Sequence, residues 1–189
     1  MKLNVSISPA TLLLLFCMIA TTPPGQLCAC LLAALLHELG HIAAAKLLGI
    51  NLAGMKLDVL GARLNTAGKL YSYSSVILLC LAGPMTNLLC FALAFPFSGV
   101  HSAVYEFCYS SLSLCVLNLI PVQGFDGGRI LHGILAGFLP PDPAERICTA
   151  LSFASILTLW LLSVWLLLRT SGALTLFAFS CCLFGMLFI

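Results

Sequence analysis

Residues 31–45 form an apolar segment interrupted only by His37, Glu38 and His41 around Leu39 and Gly40. Ionisable groups inside an apolar helix are expensive to bury, so their default reading is functional. Positions i and i+4 share one helix face, and two imidazoles so placed reach a single metal ion at about 2.0–2.1 Å. Glu38 stands one residue further round the helix. There its carboxylate is displaced from the metal and reaches the open coordination position, as a general base on water. Multiplying the frequencies of His and Glu over the available windows gives about 0.001 chance occurrences of His-Glu-x-x-His in such a chain. The competing reading is a pair of histidines hydrogen-bonded to neighbouring helices.

A hydrolytic zinc site needs a third protein ligand and keeps one position open for water. The chain holds only six acidic residues. Asp58 falls in a polar stretch. Glu106 lies near the outer end of an apolar run, beside His101. Asp142 and Glu145 flank a Pro-rich loop and read as solvated charges. Asp126 sits in Gly124-Phe125-Asp126-Gly127-Gly128-Arg129, just past an apolar run, where glycines permit close approach. It is the best candidate for the third ligand. Its competing role is N-cap of a helix starting near Gly127. His132 reads as a helix-end histidine rather than a ligand.

The elements that position these groups belong to a membrane protein. Of 189 residues, 61% are apolar and 7% charged, with a net charge of +2. Soluble domains carry about 25% charged residues. That balance excludes a disordered polyelectrolyte and argues strongly against an ordinary soluble enzyme, and no basic patch is dense enough for nucleic acid. Most of the ten cysteines lie inside apolar runs and read as small hydrophobes, without zinc-site spacing. Apolar runs cover about 9–22, 27–48, 74–97, 102–121, 147–168 and 173–189, so the expected fold is an all-α polytopic membrane protein with about six transmembrane helices. The first run is short and ends at Pro23-Pro24-Gly25; a cleaved signal peptide is its rival reading. Between the second and third helices, Met55 to Leu64 suggests a short β-hairpin or loop at the membrane face. With six crossings and an inside amino terminus, Lys2, Lys46, Lys56, Arg63, Lys69, Arg129 and Arg146 share one side and only Arg169 lies opposite. The positive-inside rule makes the first side cytoplasmic.

The sequence resembles the site-2 protease family of intramembrane zinc metalloproteases. The resemblance rests on His37-Glu38-Leu39-Gly40-His41 in an apolar helix, Gly83-Pro84-Met85-Thr86-Asn87 in the next, and Asn118-Leu119-Ile120-Pro121-Val122-Gln123-Gly124-Phe125-Asp126-Gly127. The last segment fits the family's Asn-x-x-Pro-x-x-x-x-Asp-Gly pattern at every fixed position. The six-crossing layout looks most like the branch containing the sporulation protease that activates a sigma factor. Phe125 stands where the family commonly has an aliphatic residue before the Asp, a mild change, and Gln123 and Gly124 make the segment more polar and flexible than usual. The resemblance implies one zinc ion per chain held by His37, His41 and Asp126, with Glu38 as base and then proton donor to the leaving amine. It implies that Asn118 holds the substrate or polarises its carbonyl, and that Asn87, Pro121 and Gly127 help shape the substrate site. The segment near Leu57–Leu64 would add an unwound substrate as a β-strand.

The resulting expectation is a single domain over residues 1–189, with no PDZ-like or CBS-like domain. It is a multi-pass cell-membrane endopeptidase with its active site nearer the cytoplasmic side. Its partners are the lipid bilayer and a transmembrane or membrane-associated protein substrate, of which an anti-sigma or pro-sigma factor is one example. Two other classes compete: a metal transporter and a catalytically silent zinc-binding scaffold. A transporter should string ionisable groups along a path, whereas here they cluster at one depth; a scaffold would have lost Glu38.

Overall fold

The computed structural model describes residues 5–7, 15, 16, 18–50, 52–58, 61–66, 72–169 and 174–186. Among the described residues, six helices with both ends described carry the fold: α1 (Pro24–Leu47), α2 (Tyr73–Ala94), α3 (Ser102–Leu119), α4 (Asp126–Ala136), α5 (Pro141–Arg169) and α6 (Leu174–Met186). A 3-10 turn, Phe95–Phe97, extends α2. Three strands form one sheet in the order β1 (Val5–Ile7), β2 (Leu52–Asp58), β3 (Gly61–Thr66). β2 and β3 run antiparallel, with Met55 opposite Leu64 and Leu57 opposite Ala62; β1 joins β2 in parallel, with Ile7 opposite Leu57.

The helices are apolar outside and small or polar inside. α1 buries Ala29, Ala33, His37, His41 and Ala45, all four residues apart, and exposes Leu31, Leu32, Leu35 and Leu39. α5 buries Ala144, Cys148, Ser152, Ile156 and Ser163 and exposes Leu161, Leu162, Trp165 and Leu168. Helices in lipid gain nothing from hiding leucine, so small residues take the contacts and hydroxyls supply bonds across them. One such bond, Ser163 Oγ to Ser180 Oγ at 2.8 Å, ties α5 to α6. This is the packing of a membrane protein. Among the described residues three helices are long and apolar enough to cross a bilayer: Pro24–Leu47, Tyr73–Phe97 and Pro141–Arg169. The expected six crossings exceed these three, and half of the expected crossing at 9–22, residues 9–14 and 17, lies outside the described residues.

Two boundaries differ from the sequence reading. The stretch 121–146, which falls between two of the expected apolar runs, contains all of α4, whose start lies close to the helix start near Gly127 weighed as the competing role of Asp126, and the first turns of α5. Pro141 starts α5 six residues before the expected apolar run, because a proline at the first helical position gives up no intrahelical bond. α2 lies at the centre, packed on α1, α3 and α4, while the α5–α6 pair joins the rest mainly through α4.

The segment between α3 and α4 carries Asp126. α3 stops at Leu119, because Pro121 biases Ile120 away from helical backbone; Ile120 is extended at ψ 138°. The chain then turns at Val122–Phe125, closed by the Phe125 N–H donating to the Val122 carbonyl at 3.0 Å. Gly124 occupies the third position at φ 105°, a conformation that residues with a Cβ rarely adopt. The Gln123 N–H donates to Ser152 Oγ at 2.9 Å, and its side-chain amide donates to Thr149 Oγ1 at 3.1 Å. Val122 and Phe125 join a buried apolar cluster with Ile156 of α5 and Leu183 of α6, and the Phe125 ring stacks on Phe179.

Candidate metal centre

The four-residue spacing on α1 places His37 and His41 on its buried face, ring centroids 4.8 Å apart. Asp126, the first residue of α4, faces them; a carboxylate is favourable beside the unpaired N–H groups of a helix start. His37 Nε2 lies 3.1 Å from Asp126 Oδ2, His41 Nε2 3.2 Å from the same oxygen, and the two Nε2 atoms are 3.1 Å apart. All three residues are buried, and among the described residues they form the one group of His, Cys, Asp and Glu side chains close enough to hold a metal ion.

This triangle fits a metal in both geometry and chemistry. Ligands at 2.0–2.1 Å in a tetrahedron stand about 3.3 Å from one another, close to the observed edges. His41 Nδ1–H donates to the Leu79 carbonyl at 2.8 Å, so neutral His41 presents only a lone pair at Nε2. That lone pair faces a carboxylate oxygen and a second imidazole nitrogen. Such an array is stable only with a proton or a cation among them. Gly83 of α2 completes the cradle: a Cβ there would collide with His41 Nε2 and stand 2.6 Å from His37 Nε2. Hard cations prefer oxygen donors whereas borderline ones take imidazole nitrogen and carboxylate oxygen together, so two imidazoles with one carboxylate suit zinc.

Glu38 is half-buried and close enough to His41 to interact with it electrostatically. Asn87 is fully buried, and its amide faces the far side of His37, with Nδ2 3.3 Å from His37 Nδ1. Asn118, half-buried on α3, donates its amide to the Leu114 carbonyl one turn back at 3.0 Å. Pro121 is half-buried in the segment before Asp126, and Gly127 lies against the Leu119 and Ile120 carbonyls, where a Cβ does not fit. His132 is exposed and outside the ligand group, as are Asp142 and Glu145. Asp58 has no described side chain. Glu106 packs instead against Gly25, at the start of α1.

The sequence reading missed the Leu79 carbonyl and the Gly83 cradle. Leu79 offers only backbone and carries no signal. Gly83 did carry one, as a glycine before a helix-interior proline, though not for contact with the histidines.

Comparison with known proteins returns peptidase family M50, matched over residues 94–159. The chain is 31% identical to Stage IV sporulation protein FB of Bacillus subtilis (strain 168) over 144 residues, covering 71% of this chain and 49% of that protein. It is 32% identical to Probable protease eep of Enterococcus faecalis (strain ATCC 700802 / V583) over 71 residues, covering 36% of this chain and 17% of that one. The chain thus spans about half or less of the length of these curated relatives. Among solved structures, the Site-2 Protease from Methanocaldococcus jannaschii superposes with a TM-score of 0.70 at 20% identity, over 95% of this chain and 88% of that one. At that identity the likeness is one of fold.

Proposed function

Because the chain belongs to the site-2 protease family, peptidase family M50, we propose that it is an intramembrane zinc endopeptidase acting on a membrane-embedded or membrane-associated protein. The observation that carries this reading is the convergence of His37 Nε2, His41 Nε2 and Asp126 Oδ2 on one buried point. His37, His41 and Asp126 hold one zinc ion and leave a position open. When bound, zinc supplies Lewis acidity, bringing the pKa of water to about 7 and polarising a carbonyl oxygen. Glu38, on the neighbouring face of α1, accepts a proton from the attacking water and returns it to the leaving amine. Asn118 steadies the substrate through its remaining carbonyl oxygen. Pro121 and Gly127 shape the wall that carries Asp126.

A helical substrate must unwind before its peptide bond is exposed to attack. β3 is paired on one side only, to β2, among the described residues, so its outer edge supports reading it as the strand to which the opened substrate adds. The whole chain acts as one catalytic unit, multi-pass in the cell membrane, with its site nearer the cytoplasmic face. A pro-sigma factor or an anti-sigma factor is the kind of substrate this reading suggests.

Co-expression with a panel of tagged membrane substrates tests it, with zinc measured on the purified proteins. Wild type cleaves and Glu38→Gln does not, while both carry zinc. Equal cleavage by both refutes Glu38 as base. Zinc in both with cleavage in neither favours a binding or scaffold role for the panel tested.

A further inference from the structure

Resting on the metalloprotease reading, we infer that Asn87 is a positioning residue for His37: its side-chain oxygen accepts the His37 Nδ1 proton and so keeps Nε2 available to the metal. A neutral imidazole carries one ring proton. A metal on Nε2 requires that proton on Nδ1, where it needs an acceptor. His41 meets the requirement through the Leu79 carbonyl, 2.8 Å from its Nδ1. The group opposite His37 Nδ1 is the Asn87 amide, whose nitrogen stands at 3.3 Å. An amide nitrogen has no lone pair to offer, so in this orientation it can only donate.

A planar amide fits this place in either of two orientations. With nitrogen toward the ring, the Asn87 amide donates to Nδ1, which requires the His37 proton on Nε2, 3.1 Å from Asp126 Oδ2. The Asn87 oxygen is then buried with no hydrogen-bond partner among the described residues. Rotating the amide by half a turn exchanges oxygen and nitrogen at almost no change in shape. Oδ1 then accepts from His37 Nδ1–H, and Nε2 turns its lone pair to the metal. Metal loading and the amide orientation are therefore coupled. This places Asn87 behind the ligand, in a fully buried position, rather than against substrate.

Zinc affinity of the purified full chain, measured by competition with a chelator, tests the inference apart from activity. Asn87→Leu keeps the volume and removes the acceptor; its zinc affinity falls about 10–100-fold. Asn87→Asp keeps an oxygen acceptor and holds zinc at least as well as wild type. Equal affinity in wild type and Asn87→Leu overturns the inference while leaving the metal site standing. A wild type that binds no zinc overturns the metalloprotease reading and this inference with it. A measurement on wild type alone stands even if the variants do not fold. Nitrogen NMR of labelled histidine in the zinc-loaded protein shows a protonated, exchange-protected His37 Nδ1; a proton-free Nδ1 overturns the assignment.

Discussion

At the scale of single residues, the candidate site depends as much on what is missing as on what is present. His37, His41 and Asp126 present three donor atoms within 3.1–3.2 Å of one another, and Gly83 leaves room for them. A methyl group at position 83 would occupy the place where the histidine nitrogens converge. Gly83→Ala is therefore expected to weaken zinc binding by about 100-fold, or about 3 kcal/mol, in a chain that still folds. Chelator competition on the purified variant checks this, and wild-type affinity would mean that the cradle has slack. Glu38 differs in kind from the three donors. It sits on the next face of α1, so its loss should spare the metal and remove the proton transfer.

Elements fix these residues through contacts that cross long stretches of sequence. α1 supplies two donors from one stripe, which needs only helical periodicity. Asp126 depends on more: a helix stopped before Pro121, a turn through Gly124, and a clamp onto α5. Ser152, buried on α5, accepts the Gln123 N–H three residues before Asp126. Ser152→Ala leaves that donor without a partner, at a cost of about 1–3 kcal/mol. The expected outcome is a lower Tm together with weaker zinc binding, while Ser152→Thr retains most of both. A lower Tm with unchanged zinc affinity would show that the clamp serves stability alone. Gln123 and Gly124, which in sequence make the segment more polar and flexible than the family's usual one, are the residues that make this clamp and turn.

For the whole molecule, metal binding and folding are linked. The three donors come from α1 and α4, and α2 packs between them, so a bound ion stabilises the assembled bundle over its separated parts. At a free zinc concentration 100 times Kd, the gain is about 2.7 kcal/mol. Removing zinc with a chelator should lower the Tm of wild type and of Glu38→Gln alike, and leave His41→Ala unmoved. Imidazole binds metal only when neutral, so protons compete for the site. On the proposed reading, the zinc-dependent part of the Tm should therefore be present at neutral pH and be lost as the pH falls. A chelator-induced shift of the same size in His41→Ala would place the stabilising metal elsewhere.

What the sequence determined by itself was set by composition and by short-range spacing. Few charges and long apolar runs identify a membrane protein, since so much apolar surface cannot face water. Two histidines four residues apart share a helix face whatever surrounds them, and the scarcity of acids leaves Asp126 as the best third candidate. Tertiary structure alone decided the rest. The groups behind the ligands come from distant positions: Asn87 is 50 residues from His37, Leu79 is 38 from His41, and Ser152 is 29 from Gln123. The same holds for β1, which pairs with β2 across α1, and for the extent of α4, of which the sequence offered only a helix start near Gly127 as a competing role for Asp126. The formation of α4 depends on packing against α2, and its glycines, poor helix formers in isolation, are what let it approach the end of α3. Periodicity is a local property, whereas the acceptor facing a ring nitrogen depends on how separate helices are placed.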